Sequence, residues 1–328
     1  MFNCYVAYFG LMERLIMITI LMAVHNGEKY LSAQIESILA QTVQKWKLII
    51  QDDCSKDETA KIVEQYAAKY PEKIIFLQRS TPSGSAKSNF LSMIKYADTE
   101  YVMTSDQDDI WLPNKIEITL RKLTEIEKKV GSNIPILIHT DLKVVDNNLN
   151  TISDSLFRYQ NFNKNNDRLN RLLVQNIVTG CTMMVNRALI KRAQIEPEYA
   201  IMHDWWFALI SAAFGSIGFV EEPTVLYRQH SNNEVGAKNV NSLSYIVRKT
   251  VSIIKSPIYA KQAVSATYRQ ASSFLDTFRD DLPNEMLQTI SAYISIPYAN
   301  IFRKYSIVCK YGFWKNGLVR KIGQIVFA

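Results

Sequence analysis

The sequence predicts an α/β fold with a mostly parallel sheet and flanking helices. Apolar runs with strand character alternate at short intervals with runs of helical periodicity over the first 240 residues. The first of them, residues 16–23, is continuously apolar and rich in β-branched side chains, as in strands that are covered on both faces. With 328 residues, of which 48% are hydrophobic and 21% charged, the chain can bury a sizeable core.

Each later element has its own signal in the chain. Leu31, Ile35 and Ile38 recur at helical spacing after the first strand. Ser55 and Glu58 fit a capping box that would open a helix around residues 62–66. Further strands are predicted at residues 47–51, 74–77, 101–105, 136–139, 181–185, 217–220 and 224–227. Further helices are predicted at residues 89–96, 113–129 and 203–214, with a long polar loop at 157–176 and mainly helical structure from residue 241.

Three polar segments follow predicted strands, at residues 25–28, 52–55 and 106–109. Ligands of open parallel sheets bind outside the carboxyl ends of the strands, where such loops converge, so we expect these three at one edge. Neither G-x-G-x-x-G nor G-x-x-x-x-G-K-[ST] occurs in the chain. A nucleotide bound at this edge would therefore be held by carboxylates and a metal ion.

The third segment places three carboxylates in four positions, Asp106, Asp108 and Asp109. Like charges this close repel unless a cation neutralises them, which predicts a divalent metal. Because no Cys or His flanks the carboxylates, the pattern favours Mg²⁺ or Mn²⁺, ions that commonly keep substrate phosphates as further ligands. An acidic turn that caps the following helix is the alternative interpretation. The four cysteines have no C-x-x-C spacing and predict neither disulfides nor a zinc site.

Four segments in sequence order resemble those of a family-2 glycosyltransferase with the GT-A fold, which is Rossmann-like. They are residues 23–26, 51–57, 105–113 and 203–206. The resemblance covers residues 16–239. Within the family, residues 105–111, 180–184 and 227–233 look most similar to bacterial dTDP-rhamnosyl transferases that build cell-wall rhamnan, capsule or O-antigen.

The resemblance implies an inverting, metal-dependent enzyme that uses Mg²⁺ or Mn²⁺. It would move L-rhamnose from dTDP-L-rhamnose to a hydroxyl of a lipid-linked or growing polysaccharide. One alternative is the same fold with UDP-glucose or UDP-galactose as donor. Another is a catalytically silent scaffold protein that binds nucleotide sugars, for which loss of the carboxylates would be the mark.

On the donor side, the resemblance implies contacts from the ends of the first, second and fourth strands. Asp53 would accept the N3–H of a pyrimidine, and Ala23 and His25 would lie against the nucleotide. The family often has Tyr at the position of His25. Asn89 would contact donor phosphate or ribose, or alternatively pack within its helix.

The resemblance also implies how the diphosphate is held. Asp106 would bind ribose or a metal-bound water, and Asp108 would ligate the metal ion. Asp109 would orient the donor sugar or cap the next helix. Arg228 and His230 would neutralise the leaving diphosphate; a solvated loop is the alternative for both.

Inverting transfer needs a base opposite the leaving diphosphate that accepts the proton of the acceptor hydroxyl. We assign this base to Asp204; the alternative is an N-cap or first-turn carboxylate stabilised by the helix dipole. Trp205 or Trp206 would offer a flat apolar face to a sugar. Gly180 would allow close backbone approach to the acceptor, and His203 would bond phosphate or acceptor.

The excess of basic residues lies in the C-terminal part. Residues 241–328 hold 12 Lys and Arg against 4 Asp and Glu, a net charge of +8, and the first 240 residues sum to −1. Aromatic and aliphatic residues are mixed with these cations, which favours an anionic membrane surface over nucleic acid. No apolar run reaches the ~18 residues of a membrane span. We therefore expect a cytoplasmic protein, peripheral on the inner face of the bacterial cell membrane.

Three parts follow from these patterns: an N-terminal extension of residues 1–16, a GT-A catalytic domain of residues 17–240, and a basic, mainly helical region of residues 241–328. The extension lacks the basic start of a signal peptide, and Met17 directly precedes the first strand. Translation is therefore predicted to begin at Met17. An oligomer is compatible with these patterns.

Overall fold

One nine-stranded sheet organises the described part of the computed structural model, which covers residues 17–317 and 324 except 232, 234, 235, 238 and 240–256. The predicted extension 1–16 and the first residues of the predicted C-terminal region lie outside the described residues. The strands are β1 Ile18–Val24, β2 Trp46–Asp52, β3 Ile74–Gln78, β4 Tyr101–Ser105, β5 Ile110–Trp111, β6 Ile136–Val145, β7 Thr151–Ser153, β8 Met184–Asn186 and β9 Ser216–Arg228.

The strand order is β3-β2-β1-β4-β8-β6-β9-β5, and β7 pairs with β6 outside this path. Neighbours among β3, β2, β1 and β4 are parallel, and so are β6 and β9. β8 runs antiparallel between β4 and β6, and β5 is antiparallel to β9. The predicted α/β fold with a mostly parallel sheet is confirmed.

β1 is buried because its alternating side chains enter two different cores. Ile20 and Met22 belong to the core that contains Leu31 of the first helix, whereas Leu21 belongs to the core that contains Trp206. Because successive side chains of a β-strand point to opposite faces of the sheet, these two sets lie on opposite faces. This explains why the run is continuously apolar.

Helices cover both faces of the sheet and form the C-terminal part. They are α1 Leu31–Leu39, α2 Thr59–Lys69, α3 Ala86–Met93, α4 Lys115–Val130, α5 Leu156–Tyr159, α6 Leu169–Leu172, α7 Arg187–Ala193, α8 His203–Phe214, α9 Pro257–Phe278, α10 Asn284–Ser295 and α11 Ile301–Tyr311. Short 3₁₀ turns lie at Ile94–Tyr96, Gly180–Thr182 and Ile296–Tyr298.

The strands predicted at 181–185, 217–220 and 224–227 have different limits in the structure. The strand expected at 181–185 begins only at Met184, because Gly180–Thr182 forms a 3₁₀ turn whose Gly180 carbonyl accepts a hydrogen bond from Thr104 at 2.6 Å. The two strands expected at 217–220 and 224–227 are the single strand β9, whose register against β6 shifts where Pro223 lies opposite Asp141. Pro lacks an N–H, and a register irregularity accommodates it within a strand.

The predicted capping box is wrong. The Ser55 hydroxyl donates to the carboxylate of Asp52 instead of capping a helix. α2 begins at Thr59, and Glu58 at its N-cap position makes no side-chain cap bond. Ser55 thus ties the end of β2 to its own loop, which belongs to the polar edge of the sheet.

The C-terminal helices share a core with the sheet. Phe274 and Phe278 of α9 and Tyr293 of α10 are buried in the same cluster as Trp206 of α8. The prediction of a mainly helical C-terminal region is confirmed for residues 257–311. Among the described residues, no helix has both the length and the apolar character needed to cross a bilayer.

Candidate active site

The three loops predicted to meet at the carboxyl edge of the sheet are in contact. The Nδ1 atom of His25 lies 2.8 Å from the carbonyl oxygen of Asp53, and the N–H of Asn26 donates to Ser55 Oγ at 2.9 Å. The N–H of His25 donates to Gln107 Oε1 at 2.8 Å. Because β1 pairs with both β2 and β4, their ends deliver these loops to one place.

Gln107 connects the first and third loops, although nothing in the sequence indicated this role. Its Oε1 accepts from the N–H of His25, and its Nε2 donates to the carbonyl of His25 at 3.0 Å. A Cβ atom on Gly27 would lie 2.4 Å from Gln107 Oε1, so the close approach requires glycine. The three flanking carboxylates carry the charge signal, whereas an amide between them carries none.

Gly27→Ala is expected to displace Gln107 without unfolding the protein. Only the end of a flexible side chain must move, and the two hydrogen bonds to His25 that are lost are worth about 1 kcal/mol each. The His25 N–H, measured by amide hydrogen exchange, should then exchange faster. Gln107→Ala is the matched control and should give the same increase, with no further increase in the double variant. Unchanged exchange in Gly27→Ala would contradict this account.

Asp53 lies at this edge as predicted, and its carboxylate already holds a neighbouring loop. Its Oδ1 accepts from the N–H of Ser83 and its Oδ2 from the Ser83 hydroxyl, both at 2.6 Å. The Nε of Arg79 lies 3.4 Å from Oδ1. Ala23, near the end of β1, is half-buried.

Asn89 does not reach the polar edge with its side chain. It is almost completely buried, and its amide exchanges hydrogen bonds with Gln51: Oδ1 accepts from Gln51 Nε2 at 2.6 Å, and Nδ2 donates to the Gln51 carbonyl at 3.2 Å. The expected contact with donor phosphate or ribose is therefore wrong in this conformation. Packing of α3 against β2, the alternative interpretation, describes Asn89.

The acidic segment 106–109 forms a charge cluster with Cys181. One ligand atom each from Asp106, Asp109 and Cys181 lies within 4.8 Å of the others. Asp109 is fully buried; its Oδ1 accepts from the N–H of Arg228 at 3.1 Å, and its Oδ2 has no hydrogen-bond partner among the described residues. Burial, followed by the charges of Asp108 and Asp106, raises the pKa of Asp109 well above its usual range.

This cluster fits a divalent cation. A buried carboxylate oxygen without a partner is costly, and a cation would both satisfy it and offset the repulsion from the neighbouring carboxylates. The oxygens of Asp106 and Asp109 are ligands that suit Mg²⁺ or Mn²⁺. Burial and the nearby carboxylates raise the pKa of the Cys181 thiol well above its usual range, so it adds no charge of its own.

The expectation that Asp109 caps the next helix is wrong. α4 begins at Lys115 with Asn114 at its N-cap position, and Asp109 points into the cluster instead. Contact with a donor sugar is also closed to Asp109, because its side chain has no exposed surface.

A fully buried lysine lies near the cluster and was not predicted. Lys115 belongs to a helix whose sequence predicts an exposed charged face, yet its ammonium lies 4.8 Å from the centre of the Trp111 ring. Burial lowers the pKa of Lys115 to about 8, while the neighbouring acidic groups Cys181 and Asp109 act in the opposite direction. The sequence could not reveal this lysine because burial here depends on the distant strand β9, where Thr224 Oγ1 lies 3.5 Å from its Nζ.

Asp108, Arg228 and His230 are joined in one arrangement. His230 Nε2 lies 2.7 Å from Asp108 Oδ2. Arg228 donates from Nε to the Asp108 carbonyl at 2.9 Å and from Nη1 to the Asn147 carbonyl at 2.7 Å. Tyr30 contacts both, stacking on His230 at 5.0 Å and lying 4.6 Å beneath the guanidinium carbon of Arg228. The solvated-loop alternative is therefore wrong, since Arg228 is only 5% exposed.

Asp204 lies in the first turn of α8, and neighbouring N–H groups orient its carboxylate. Oδ1 accepts from Asn176 Nδ2 at 3.1 Å, and Oδ2 accepts from the N–H of Gly180 at 3.0 Å. The N-cap residue of α8 is Met202, so the N-cap interpretation of Asp204 is wrong, although it does lie in the first turn. Gly180, which donates to Asp204, directly precedes Cys181 of the acidic cluster in the chain.

Trp206 is not a sugar platform. It is fully buried, with its ring 5.1 Å from Phe274 and 6.1 Å from Phe278. Trp205 is half-buried and donates from its indole N–H to the Leu172 carbonyl at 2.6 Å. Of the two tryptophans, Trp205 alone keeps surface that a sugar could contact.

His203 is also removed from direct contact with phosphate or acceptor. Its ring is buried and stacks on Phe90 at 4.1 Å, and burial lowers its pKa to about 3, so it is neutral. A Cβ atom on Gly180 would lie 2.9 Å from His203 Nε2. Glycine at 180 is therefore required by the histidine behind it, a reason that the sequence did not indicate.

Comparison with known sequences gives a consistent family. The family model described as glycosyl transferase family 2 matches residues 19–192. The dTDP-rhamnosyl transferase RfbG of Shigella flexneri is 28% identical over 259 residues, which are 74% of this chain and 81% of that protein. A UDP-Glc:alpha-D-GlcNAc-diphosphoundecaprenol beta-1,3-glucosyltransferase, WfgD of Escherichia coli, is 28% identical over 175 residues, 53% of this chain and 62% of that protein.

Solved structures share the fold at low sequence identity. S. aureus TarS in complex with UDP-GlcNAc has a TM-score of 0.52 and 14% identity, and the match covers 91% of this chain and 93% of that one. A mannosyltransferase of Pyrobaculum calidifontis in complex with GDP-Man and Mn²⁺ has a TM-score of 0.53 and 14% identity, covering 89% and 73%. These likenesses extend over the sheet and into the C-terminal helices.

Proposed function

The chain belongs to glycosyl transferase family 2, and from this premise we propose that it is an inverting, metal-dependent rhamnosyltransferase. It transfers L-rhamnose from dTDP-L-rhamnose to a hydroxyl group of a lipid-linked or growing polysaccharide of the cell wall, capsule or O-antigen. The relative from Shigella flexneri, named a dTDP-rhamnosyl transferase, supports the choice of donor. The observation that carries the proposal is the hydrogen bond from the N–H of Gly180 to Asp204, because Gly180 directly precedes Cys181 of the acidic cluster.

Asp204 accepts the proton of the acceptor hydroxyl as the oxygen attacks the sugar carbon. The hydrogen bonds from Asn176 and Gly180 fix the direction of its carboxylate, so little reorientation is needed at the moment of transfer. A positioned base of this kind contributes about 10²- to 10⁴-fold in rate. Trp205, which borders the carboxylate, provides the apolar surface against which an acceptor sugar lies.

Asp106 and Asp109 hold the divalent cation, and Asp108 adds its negative charge beside them. With Mg²⁺ or Mn²⁺ bound there, the negative charge that develops on the leaving diphosphate would be neutralised. His230, bonded to Asp108, and Arg228, bonded to the Asp108 carbonyl, keep the acidic segment in position. The mannosyltransferase structure that contains Mn²⁺ supports a metal site in this fold.

The nucleotide base lies against His25 and the end of β1 at Ala23, and Asp53 recognises its N–H. A carboxylate has about four lone-pair positions. Asp53 can therefore accept the N3–H of thymine while it still holds Ser83 and lies near Arg79. This pocket would accept thymine and uracil alike at N3, so the sugar and its diphosphate must contribute to the choice of donor.

UDP-hexose is the second candidate donor, because a relative from Escherichia coli is named as a UDP-Glc-dependent glucosyltransferase. A catalytically silent scaffold has less support, since all the acidic residues that catalysis would need are present. A dTDP-rhamnose enzyme and a UDP-hexose enzyme of this family would share the fold and the cation site. They would differ in the surface that contacts the donor sugar.

A donor panel tests the proposal. Purified full-length protein with Mn²⁺ is expected to hydrolyse dTDP-L-rhamnose with a kcat/KM at least about tenfold above that for UDP-glucose or UDP-galactose, a difference of about 1.4 kcal/mol. The same panel with EDTA is the control for cation dependence. Preference for a UDP-hexose would replace the donor, and binding without turnover of any donor would favour the silent scaffold.

Because its proposed acceptor is lipid-linked, we also propose that the protein works on the cytoplasmic side of the bacterial cell membrane, bound at the inner surface. The basic composition of residues 241–328 supports this location.

A further inference from the structure

A group of large apolar side chains is exposed at the end of the described C-terminal helices. Tyr298 is 89% exposed, Phe302 84%, Ile301 56% and Tyr305 55%. They account for four of the twelve exposed large hydrophobic side chains in the described residues, and all four lie within eight consecutive positions. Single exposed apolar residues are ordinary, but a contiguous group marks an interaction surface.

The opposite face of α11 is fixed to the body of the protein, so the exposure does not come from a loose helix. Val308 is buried in the core shared with the sheet, and the ring of Tyr311 stacks on Phe313 at 5.5 Å. Asn170 donates from Nδ2 to the Tyr311 carbonyl at 2.7 Å, and Arg171 donates from Nη1 to the Gly312 carbonyl at 3.0 Å. Both side chains that bond the C-terminal end of α11 therefore belong to α6.

The chain segment that forms this face carries positive charge and no negative charge. Between positions 296 and 316 the chain has Arg303, Lys304, Lys310 and Lys315, and it has no Asp or Glu. Arg303 and Lys310 are exposed on α11 itself. A surface of aromatic side chains flanked by cations complements an anionic bilayer, where the rings enter the interface and the cations meet lipid phosphates.

We propose that the exposed surface of α11 and of the 3₁₀ turn before it docks on an anionic phospholipid bilayer. This surface is formed by Tyr298, Ile301, Phe302 and Tyr305 with Arg303 and Lys310. The helix lies parallel to the membrane, because its other side packs on the core of the protein through Val308 and is bonded to α6. This inference rests on the proposed function, because a lipid-linked acceptor would be presented at that surface. This surface, called the docking face below, is the contact that brings the enzyme to its lipid-linked acceptor.

Vesicle flotation tests the docking face with the full-length protein. Vesicles of equal parts phosphatidylglycerol and phosphatidylcholine should carry the protein upward, and vesicles of phosphatidylcholine alone should carry much less. Phe302→Ser with Tyr305→Ser should weaken binding at least about tenfold. The matched control replaces two exposed isoleucines elsewhere, Ile152→Ser with Ile195→Ser, and should bind as the unaltered protein does.

Charge is tested in the same assay. Arg303→Gln with Lys310→Gln should weaken binding about 25-fold, since each Lys or Arg near an anionic surface contributes about fivefold. Lys69→Gln with Lys95→Gln, two exposed lysines far from α11 in the chain, is the control and should change little. Equal losses in both pairs would mean a general charge effect and would overturn the docking face.

Cys309 gives a direct readout, because it is exposed in the same helix. In a chain with Cys4→Ser and Cys54→Ser, an environment-sensitive fluorophore on Cys309 should shift to the blue on anionic vesicles. A fluorophore on Lys69→Cys in a Cys309→Ser background should not shift. A shift that appears on concentration of the protein alone would assign the face to a second copy, and one that appears with DNA alone to nucleic acid; either result overturns the proposal.

Hydrolysis of dTDP-L-rhamnose without vesicles separates this inference from the proposed function. Normal hydrolysis with no vesicle binding would overturn the docking face and leave the enzyme assignment intact. Vesicle binding by a protein that turns over no donor would do the reverse. Each surface variant should keep the hydrolysis rate of the unaltered protein, which also checks that it is folded.

Discussion

Asp204→Asn is expected to lower sugar transfer by about 10²- to 10⁴-fold while donor binding stays nearly unchanged. An amide cannot accept the proton of the acceptor hydroxyl, and Asp204, held by the N–H of Gly180, is the base that we propose. Transfer to acceptor, donor hydrolysis and donor affinity by calorimetry should be measured together. The loss should appear in kcat for transfer, because the donor contacts at the other strands are untouched.

The control for Asp204 addresses its structural contacts. Both carboxylate oxygens of Asp204 accept hydrogen bonds, one from Asn176 and one from the N–H of Gly180. The side-chain amide of Asn at position 204 would turn its own N–H toward one of these donors. Asn176→Ala removes one of those bonds and leaves the carboxylate in place. If Asn176→Ala loses as much transfer as Asp204→Asn, the effect is one of local structure, and Asp204 is not the base. Near-normal transfer by Asp204→Asn would have the same meaning.

Asp108→Asn is expected to lower metal-dependent donor turnover by about 10²- to 10³-fold, as the loss of one preorganised charge-stabilising group does in other enzymes. The negative charge of Asp108 acts on Asp109, so its removal weakens the attraction of the cluster for a divalent cation. Mn²⁺ affinity, measured by electron paramagnetic resonance, should fall together with kcat/KM for the donor. The melting temperature should change little, because the lost contact with His230 is offset by weaker repulsion on the buried Asp109.

Two variants show whether the loss comes from the charge or from the bond to His230. His230→Gln keeps the Asp108 carboxylate and removes its contact with the imidazole, so it should lose less turnover than Asp108→Asn. Asp98→Asn removes an exposed carboxylate that pairs with Lys47 and should leave turnover unchanged. Full Mn²⁺ affinity in Asp108→Asn would show that the charge of Asp108 does not strengthen cation binding by Asp106 and Asp109, and would contradict this prediction.

The parallel half of the sheet could be predicted to within two residues at each strand end. β4 begins at Tyr101 and ends at Ser105 as expected, and β1, β2 and β3 agree closely, because strands buried on both faces appear as apolar runs. The meeting of the three loops was predictable for the same reason: parallel neighbours deliver their carboxyl ends to one edge. The strands β8 and β9 were harder, since their limits depend on partners far away in the chain.

The side chains around the site could be predicted less well, because burial is decided by contacts between distant segments. Trp205 and Trp206 are adjacent in one helix, and no local signal shows which of them faces the C-terminal helices. Lys115 and Asn89 have the sequence context of surface residues, yet β9 and β2 respectively cover them. The cluster of Asp109 with Cys181 joins segments about 70 positions apart, and no spacing rule would connect them.

The packing of Trp206 against Phe274 and Phe278 has a consequence for engineering. Swapping C-terminal tails between related enzymes, in order to redirect where they attach, would separate an indole from the rings that cover it. Truncating a buried Phe or Trp to Ala lowers the free energy of unfolding by about 3–5 kcal/mol, which gives the scale of this loss. The indole belongs to the helix that carries Asp204, so a mismatched chimera would disturb catalysis as well as folding. A workable exchange must carry over the helix His203–Phe214 together with the tail.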